Sequence, residues 1–220
     1  MNEYDTIPVK IIMIGSLNVG KTTLITQYSI GETSIKTQNR ENASYVSKIK
    51  KINGFKFKIR LWDTAGQEKY KSLTKLFIKD AKIAILVYSI NNEESFNDLD
   101  SWLELIKSMN DETVLYGVCA NKSDLSSEKT IPDERGKEYA KKINAEWTST
   151  SAIINGKGID KFVESLFIKY YTINFNLNNA PSLSITLSSE KTKVEKKGCC
   201  GGGGGDDKTD KNQSNTKSTK

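Results

Sequence analysis

The stretch G-S-L-N-V-G-K-T, Gly15 to Thr22, constrains the fold of this chain more than any other. It follows the β-branched run V-K-I-I-M-I at 9–14 and leads into T-T-L-I-T-Q-Y, which reads as a helix from Lys21. A strand, a glycine-bounded turn and a helix open an α/β protein. The pattern G-x-x-x-x-G-K-[ST] aims backbone N–H groups inward to cradle phosphate oxygens, at a helix N-terminus whose dipole end is positive. Gly15, Asn18, Val19, Gly20, Lys21, Thr22 and Thr23 are therefore candidate nucleotide-contacting residues. In this reading Lys21 reaches the β- and γ-phosphates and the Thr22 hydroxyl ligates magnesium. The loop alone does not separate a GTPase from an ATPase or a kinase.

The rest of the chain extends the same pattern. Residues 30–43 are polar and irregular, long for a simple connection. Asn53-Gly54 signals a two-residue hairpin turn. After it Phe55, Phe57, Ile59 and Leu61 alternate with Lys56, Lys58, Arg60 and Trp62, the mark of a half-buried strand. Strands are expected at 83–89, 114–120 and 146–150, with helices at about 93–109 and 133–144 between them. A last helix carries Ile159, Phe162, Val163, Leu166, Phe167 and Tyr170 on one apolar stripe. Strands alternating with helices predict an α/β P-loop NTPase fold. Its sheet is expected to have six strands, mostly parallel with one antiparallel edge strand, and helices on both faces. The expected division is an N-terminal extension at 1–8, a nucleotide-binding domain at 9–175 and a tail at 176–220. After Val194 the tail has no Val, Ile, Leu, Phe, Tyr or Trp and holds six of the 15 glycines, so it is expected to be disordered.

Composition excludes several classes. A chain of 220 residues suits one domain and a tail. It has no histidine, which removes Ser-His-Asp and Cys-His catalysis and every histidine metal site. Its three cysteines make neither a disulfide framework nor a four-ligand zinc site, and a reducing compartment is expected. The longest apolar run, Ile83 to Tyr88, is too short to span a bilayer. M-N-E-Y-D lacks a signal-peptide pattern and the glycine needed for myristoylation. The net charge of +6 is modest, and without base-stacking aromatics it does not point to nucleic acid.

Two further motifs select the nucleotide. Asn121-Lys122-Ser123-Asp124 follows an expected strand end, where open α/β sheets bind ligands. Guanine offers two donors, N1–H and the 2-amino group, to one carboxylate, here Asp124. Adenine would leave that carboxylate unpaired, and unpaired buried polar groups make discrimination large. Asn121 braces the loop in this reading, and the Lys122 stem covers the base. D-T-A-G-Q-E, Asp63 to Glu68, follows the 55–62 strand. There Asp63 holds magnesium through water, the Gly66 N–H meets a γ-phosphate and Gln67 orients the attacking water.

The three motifs in this order resemble the Ras superfamily of small GTPases over residues 9 to about 172. Among its branches the Rab proteins are most similar. K-I-R-L-W at 58–62, K-Y-K-S-L-T at 69–74, L-F-I-K-D-A at 76–81 and L-V-Y-S-I-N at 86–91 look Rab-like, as do the paired Cys199 and Cys200. Thr150-Ser151-Ala152 resembles the third base-contacting element, which adds Ser151, Ala152 and Ile153 to the candidate site. The resemblance implies a monomeric, slowly hydrolysing GTPase that binds GTP, GDP and Mg2+, with Lys21 and Gln67 as its catalytic residues. It also implies an exchange factor, a GTPase-activating protein, effectors and a GDP-dissociation inhibitor as partners. Its place would be the cytoplasmic face of an endomembrane in vesicle traffic, cycling with the cytosol.

The chain departs from the family at several points. Arg40 stands where the first switch carries its magnesium-binding threonine. Thr37 is a substitute ligand if the loop shifts register. Arg40 itself either reaches a γ-phosphate oxygen or faces solvent. Leu17 and Asn18 replace small residues, and Ile153 replaces a lysine. These changes leave open a second reading, a hydrolysis-impaired Rab-like interaction protein. Cys199 and Cys200 are expected to carry the lipid that attaches the protein to its membrane, by prenylation or, since 20 residues follow Cys200, by S-palmitoylation, with an unmodified tail as the alternative.

Overall fold

A computed structural model describes residues 6–29, 35–37, 44–64, 75, 77–110, 114–154 and 157–175. The elements run β1 (Ile7–Ile14), α1 (Lys21–Ser29), β2 (Ile35–Thr37), β3 (Ser44–Ile52), β4 (Phe55–Asp63) and β5 (Ile83–Ser89). Then follow α2 (Glu93–Asn97), α3 (Leu99–Met109), β6 (Leu115–Asn121), a 3-10 turn (Ser126–Glu128), α4 (Asp133–Lys142), β7 (Glu146–Ser149) and α5 (Lys157–Asn174). They build one sheet in the order β2-β3-β4-β1-β5-β6-β7. Neighbours from β4 to β7 pair parallel, and β3 is antiparallel to both β4 and β2.

The expected α/β fold is present, with one correction to the strand count. The sheet has seven strands rather than six, because Ile35–Thr37 pair with Ser44–Val46 inside the stretch expected to be irregular. The antiparallel β3 is thus an edge strand only beyond Val46. Three residues with two β-branched side chains suffice here because β3 supplies a ready template.

The strand alternation divides the core. Val9, Ile11 and Met13 of β1 face a layer with Leu24, Ile25 and Tyr28 of α1 and Ile159, Phe162, Val163, Leu166, Phe167 and Tyr171 of α5. Ile12 and Ile14 face the other layer, with Phe96 of α2 and Leu99, Trp102, Leu103 and Ile106 of α3. The expected stripe of the last helix is the buried one from Ile159 to Phe167, but Tyr171 rather than the half-buried Tyr170 completes it. Burial of each such side chain is worth about 1.5–3 kcal/mol.

Three local details differ from the sequence pattern. Phe55 is 47% exposed, whereas Lys58 on the outer face is buried. The helix expected at 93–109 is two helices meeting at Asp98. The backbone bonds Asp98 N–H to Glu94 O and Trp102 N–H to Asp98 O carry across that junction. The hairpin turn is as expected, with Asn53 and Gly54 both at positive φ (47° and 80°).

Candidate nucleotide site

The parallel strands β1, β4 and β6 end on one side of the sheet, and their loops gather there. Gly15 opens the first loop at φ 156°, where a Cβ would lie 2.1 Å from the Val87 carbonyl oxygen. At Gly20, φ is 96° and a Cβ would lie 2.4 Å from Asn121 Nδ2. No side chain fits at either point, so glycine is what lets the loop approach Val87 and Asn121 this closely. Asn18 adopts φ 62°, a left-handed conformation that asparagine tolerates.

Lys21 is buried, and its Nζ donates to the Gly15 and Ser16 carbonyls at 2.9 Å each. The loop thus wraps around its own lysine and fixes the ammonium. Thr22 and Thr23 are exposed on the first turn of α1, which has no acidic residue. That positive helix end is left uncompensated by the helix itself. Asp63, at the end of β4, is buried and level with Met13 of β1. Thr64 Oγ1 donates to the Met13 carbonyl at 2.7 Å and ties the chain beyond β4 to β1.

Asn121 joins three segments. Its Nδ2 donates to the Val19 carbonyl at 2.8 Å, and its Oδ1 accepts from the Ala152 N–H at 3.3 Å. Lys122 follows at φ 66°, turning the chain sharply. Ser123 N–H then bonds to the Thr150 carbonyl at 3.1 Å. The Asp124 carboxylate accepts from Ser151 Oγ at 2.5 Å. The same Ser151 oxygen accepts the Ile153 and Ile154 N–H groups, which closes the turn after β7. Ser151 and Ala152 are buried, and Ile153 is 77% exposed.

The structure therefore brings Gly15–Thr23, Asn121–Asp124 and Ser151–Ile153 together, with Asp63 on the neighbouring strand end. Thr37 pairs with Ser44 through β2, and its side chain is not among those described. Arg40, Gly66, Gln67, Cys199 and Cys200 lie outside the described residues.

The residues present fit a nucleotide and its cation. Gly15 and Gly20 let the loop pack directly on Val87 and Asn121, and Lys21, buried within the loop, adds a fixed positive charge. Magnesium prefers one or two carboxylates or hydroxyls, completed by water and phosphate. The Asp63 carboxylate and the Thr22 hydroxyl are that kind of donor set.

One contact has no signal in the sequence. Ser16 Oγ donates to Asp98 Oδ2 at 2.6 Å and accepts from Trp102 Nε1 at 3.5 Å. The partners are 82 residues apart, so only the fold reveals the pair. Leu17, next along the loop, is 44% exposed. Tyr45, Trp62 and Phe77 also come together, with ring centroids 4.7 Å and 6.1 Å apart.

Comparison with known proteins agrees with this geometry. Residues 10–172 match the Ras family. The Ras-related protein Rab-21 of Geodia cydonium is 35% identical over 67% of this chain, and the match spans 64% of that protein's length. Ras-related protein RABA1b of Arabidopsis thaliana is 31% identical over 75% of this chain and 76% of its own. Ras-related protein Rab-11B of Dictyostelium discoideum is 33% identical over 80% of this chain and 83% of its own.

Proposed function

The chain belongs to the Ras family, and we propose that it is a guanine-nucleotide switch of the Rab type that binds GTP, hydrolyses it slowly to GDP and recruits effectors. The observation that carries this reading is the Asn121 amide, which ties the phosphate loop to the turn carrying Ala152. Asp124, three residues on, accepts from Ser151 Oγ, and in this reading its carboxylate takes both guanine donors.

Each residue then has a task. The N–H groups of Gly15–Thr22 cradle the phosphates, and Lys21 holds the β- and γ-phosphate oxygens. Thr22 and Asp63 hold magnesium, which supplies charge neutralisation on those oxygens. Gln67 orients the attacking water, and Gly66 meets the γ-phosphate. Thr37 or Arg40 stands in for the usual first-switch ligand. Exposed Leu17 beside Ser16 favours a second reading, in which hydrolysis is impaired and the protein acts by binding alone.

Asp124→Asn tests the base assignment. It replaces two acceptors by one acceptor and one donor, which mismatches guanine and suits xanthine. Each lost charged hydrogen bond is worth about 1.5–3 kcal/mol, so GTP affinity should fall by about tenfold or more. Equal binding of ATP and GTP by the unchanged protein overturns the reading. Single-turnover GTP hydrolysis, with and without magnesium, separates the switch from the hydrolysis-impaired binder.

The proposed partners are an exchange factor, a GTPase-activating protein, effectors and a GDP-dissociation inhibitor. The proposed place is the cytoplasmic face of an endomembrane. Among the described residues no helix is long and apolar enough to cross a membrane. Attachment is assigned to lipid on Cys199 and Cys200, beside Lys191, Lys193, Lys196 and Lys197. One chain binds reversibly and two anchor stably, which gives an adjacent pair a physical purpose. Intact-protein mass spectrometry from native cells should find the added mass. An unmodified mass, with a soluble pool indifferent to Cys199→Ser and Cys200→Ser, removes this part of the proposal.

A further inference from the structure

The loop between β1 and α1 is pinned to the rest of the fold at two points. One is Val19, whose carbonyl accepts from Asn121 at 2.8 Å. The other is Ser16, whose hydroxyl donates to Asp98 Oδ2 at 2.6 Å and accepts from Trp102 Nε1 at 3.5 Å. The direction of these bonds is set by chemistry. An indole N–H only donates, which leaves the single hydroxyl proton for the carboxylate. The bond to the carboxylate is short and of the stronger kind, whereas 3.5 Å is at the limit of a hydrogen bond. Asp98 is therefore the main hold on Ser16, and Trp102 is secondary.

Ser16 matters because of what its backbone does. Its carbonyl is one of the two that receive Lys21 Nζ, the other being that of Gly15, at 2.9 Å each. Hydroxyl and carbonyl stem from one residue, so fixing the first restricts the backbone that carries the second. The anchor itself is rigid. Asp98 N–H donates to the Glu94 carbonyl at 2.9 Å, and the Asp98 carbonyl accepts from Trp102 N–H at 3.1 Å and from Ser101 Oγ at 2.8 Å. Trp102 is buried in the core layer of α2 and α3. A chain of contacts thus runs from that layer through Asp98 and Ser16 to the buried ammonium of the loop.

We propose that Asp98 is a positioning residue of the nucleotide site. It holds the Ser16 hydroxyl, and through the Ser16 carbonyl it fixes where the Lys21 ammonium meets the β- and γ-phosphates. The proposal rests on the guanine-nucleotide reading above, and in it Asp98 acts through Ser16 rather than on the nucleotide itself. Without the carboxylate the Ser16 hydroxyl loses its acceptor, the carbonyl turns more freely and Lys21 spends less of its time aligned. Small misplacements of such a group are costly to binding and to rate. Asparagine at this position keeps an oxygen acceptor, and alanine keeps none.

The test follows release of fluorescent GDP from the full chain with magnesium present. Asp98→Ala and Ser16→Ala should each speed release about tenfold, the effect of one lost charged hydrogen bond. The double variant should be no faster than either single one, since both changes remove the same link. Asp98→Asn keeps a neutral bond of about half the strength, so release should return to within about threefold of the unchanged protein. Phosphorus NMR of the bound β-phosphate, which senses the lysine, should shift in both alanine variants and move back in Asp98→Asn. Melting temperatures check that each variant folds. A role confined to the α2–α3 junction would lower the melting temperature of Asp98→Ala while leaving Ser16→Ala and the phosphate signal unmoved. That result, unchanged release in Asp98→Ala, or additive effects in the double variant overturns the proposal alone. A chain that binds no GDP overturns the guanine reading and the proposal with it.

Discussion

Leu17 and Ser16 sit side by side in the phosphate loop and meet opposite fates. Ser16 turns inward to Asp98 at 2.6 Å, and Leu17 stands 44% exposed. A branched side chain there lies where Gln67 and a partner's arginine must approach the γ-phosphate in the proposed reaction. Supply of such an arginine is worth about 10³–10⁵ in rate. Leu17→Ser is expected to raise turnover stimulated by a GTPase-activating protein while leaving GTP affinity unchanged. Single-turnover rates with and without the partner check it, and unchanged stimulation clears Leu17 as the obstacle. Residues whose role is local were legible in the sequence. Gly15, Gly20, Lys21 and Asn121 stand in contiguous motifs because the chemistry needs them at fixed spacing. Asp98 was not, because its role depends on a serine 82 residues away. The burial of Lys58 was not legible either, since alternation gives the face of a strand and not what covers that face.

Among the elements, α5 and β6 approach unusually closely. At Gly117 a Cβ would lie 2.7 Å from Leu166 Cδ1 and 2.9 Å from Phe162 Cζ. Gly117→Ala should therefore cost about 1–3 kcal/mol through overpacking. Leu166→Ala alone should cost about 2–5 kcal/mol by leaving a cavity. The two together should be less destabilising than their sum, because the added methyl fills part of that cavity. Denaturant unfolding of the four proteins measures the cycle, and strict additivity denies the contact. The α5 stripe itself was readable from its spacing, since a helix must bury one face. The three-residue β2 was not, because its pairing comes from β3 rather than from its own polar surroundings. The junction at Asp98 was hidden as well, because the apolar pattern continues through it and Asp98 itself keeps a helical backbone (φ −69°, ψ −13°).

At the scale of the whole molecule, buried titratable groups limit tolerance of alkali. Burial pushes the Cys119 thiol up to about 12 from an ordinary 9.0. Tyr88 is raised to about 12 from 10.0, chiefly by burial, and its hydrogen bond with Trp147 offsets only part of that. The folded state keeps these protons while the unfolded chain loses them, so unfolding gains favour as pH rises. Stability should hold below pH 9.0 and fall progressively toward about 12. Cys119→Val should flatten the lower part of that decline, and melting temperatures across a pH series report it. A decline of the same shape in Cys119→Val assigns the loss to other groups.

The Asn121 tie also has a consequence for abundance. Its amide is shared by loops from distant parts of the sequence, so a nucleotide contacting those loops would act as an additional fastener for the native state. A ligand at a hundred times its dissociation constant adds about 2.7 kcal/mol to stability. On a domain of ordinary marginal stability this is a large share. A substitution that only weakens nucleotide affinity would then also lower the amount of protein surviving in a cell. Low cellular levels of such a variant would register an empty pocket as readily as a damaged core, and restoring excess ligand during a melt would tell the two apart.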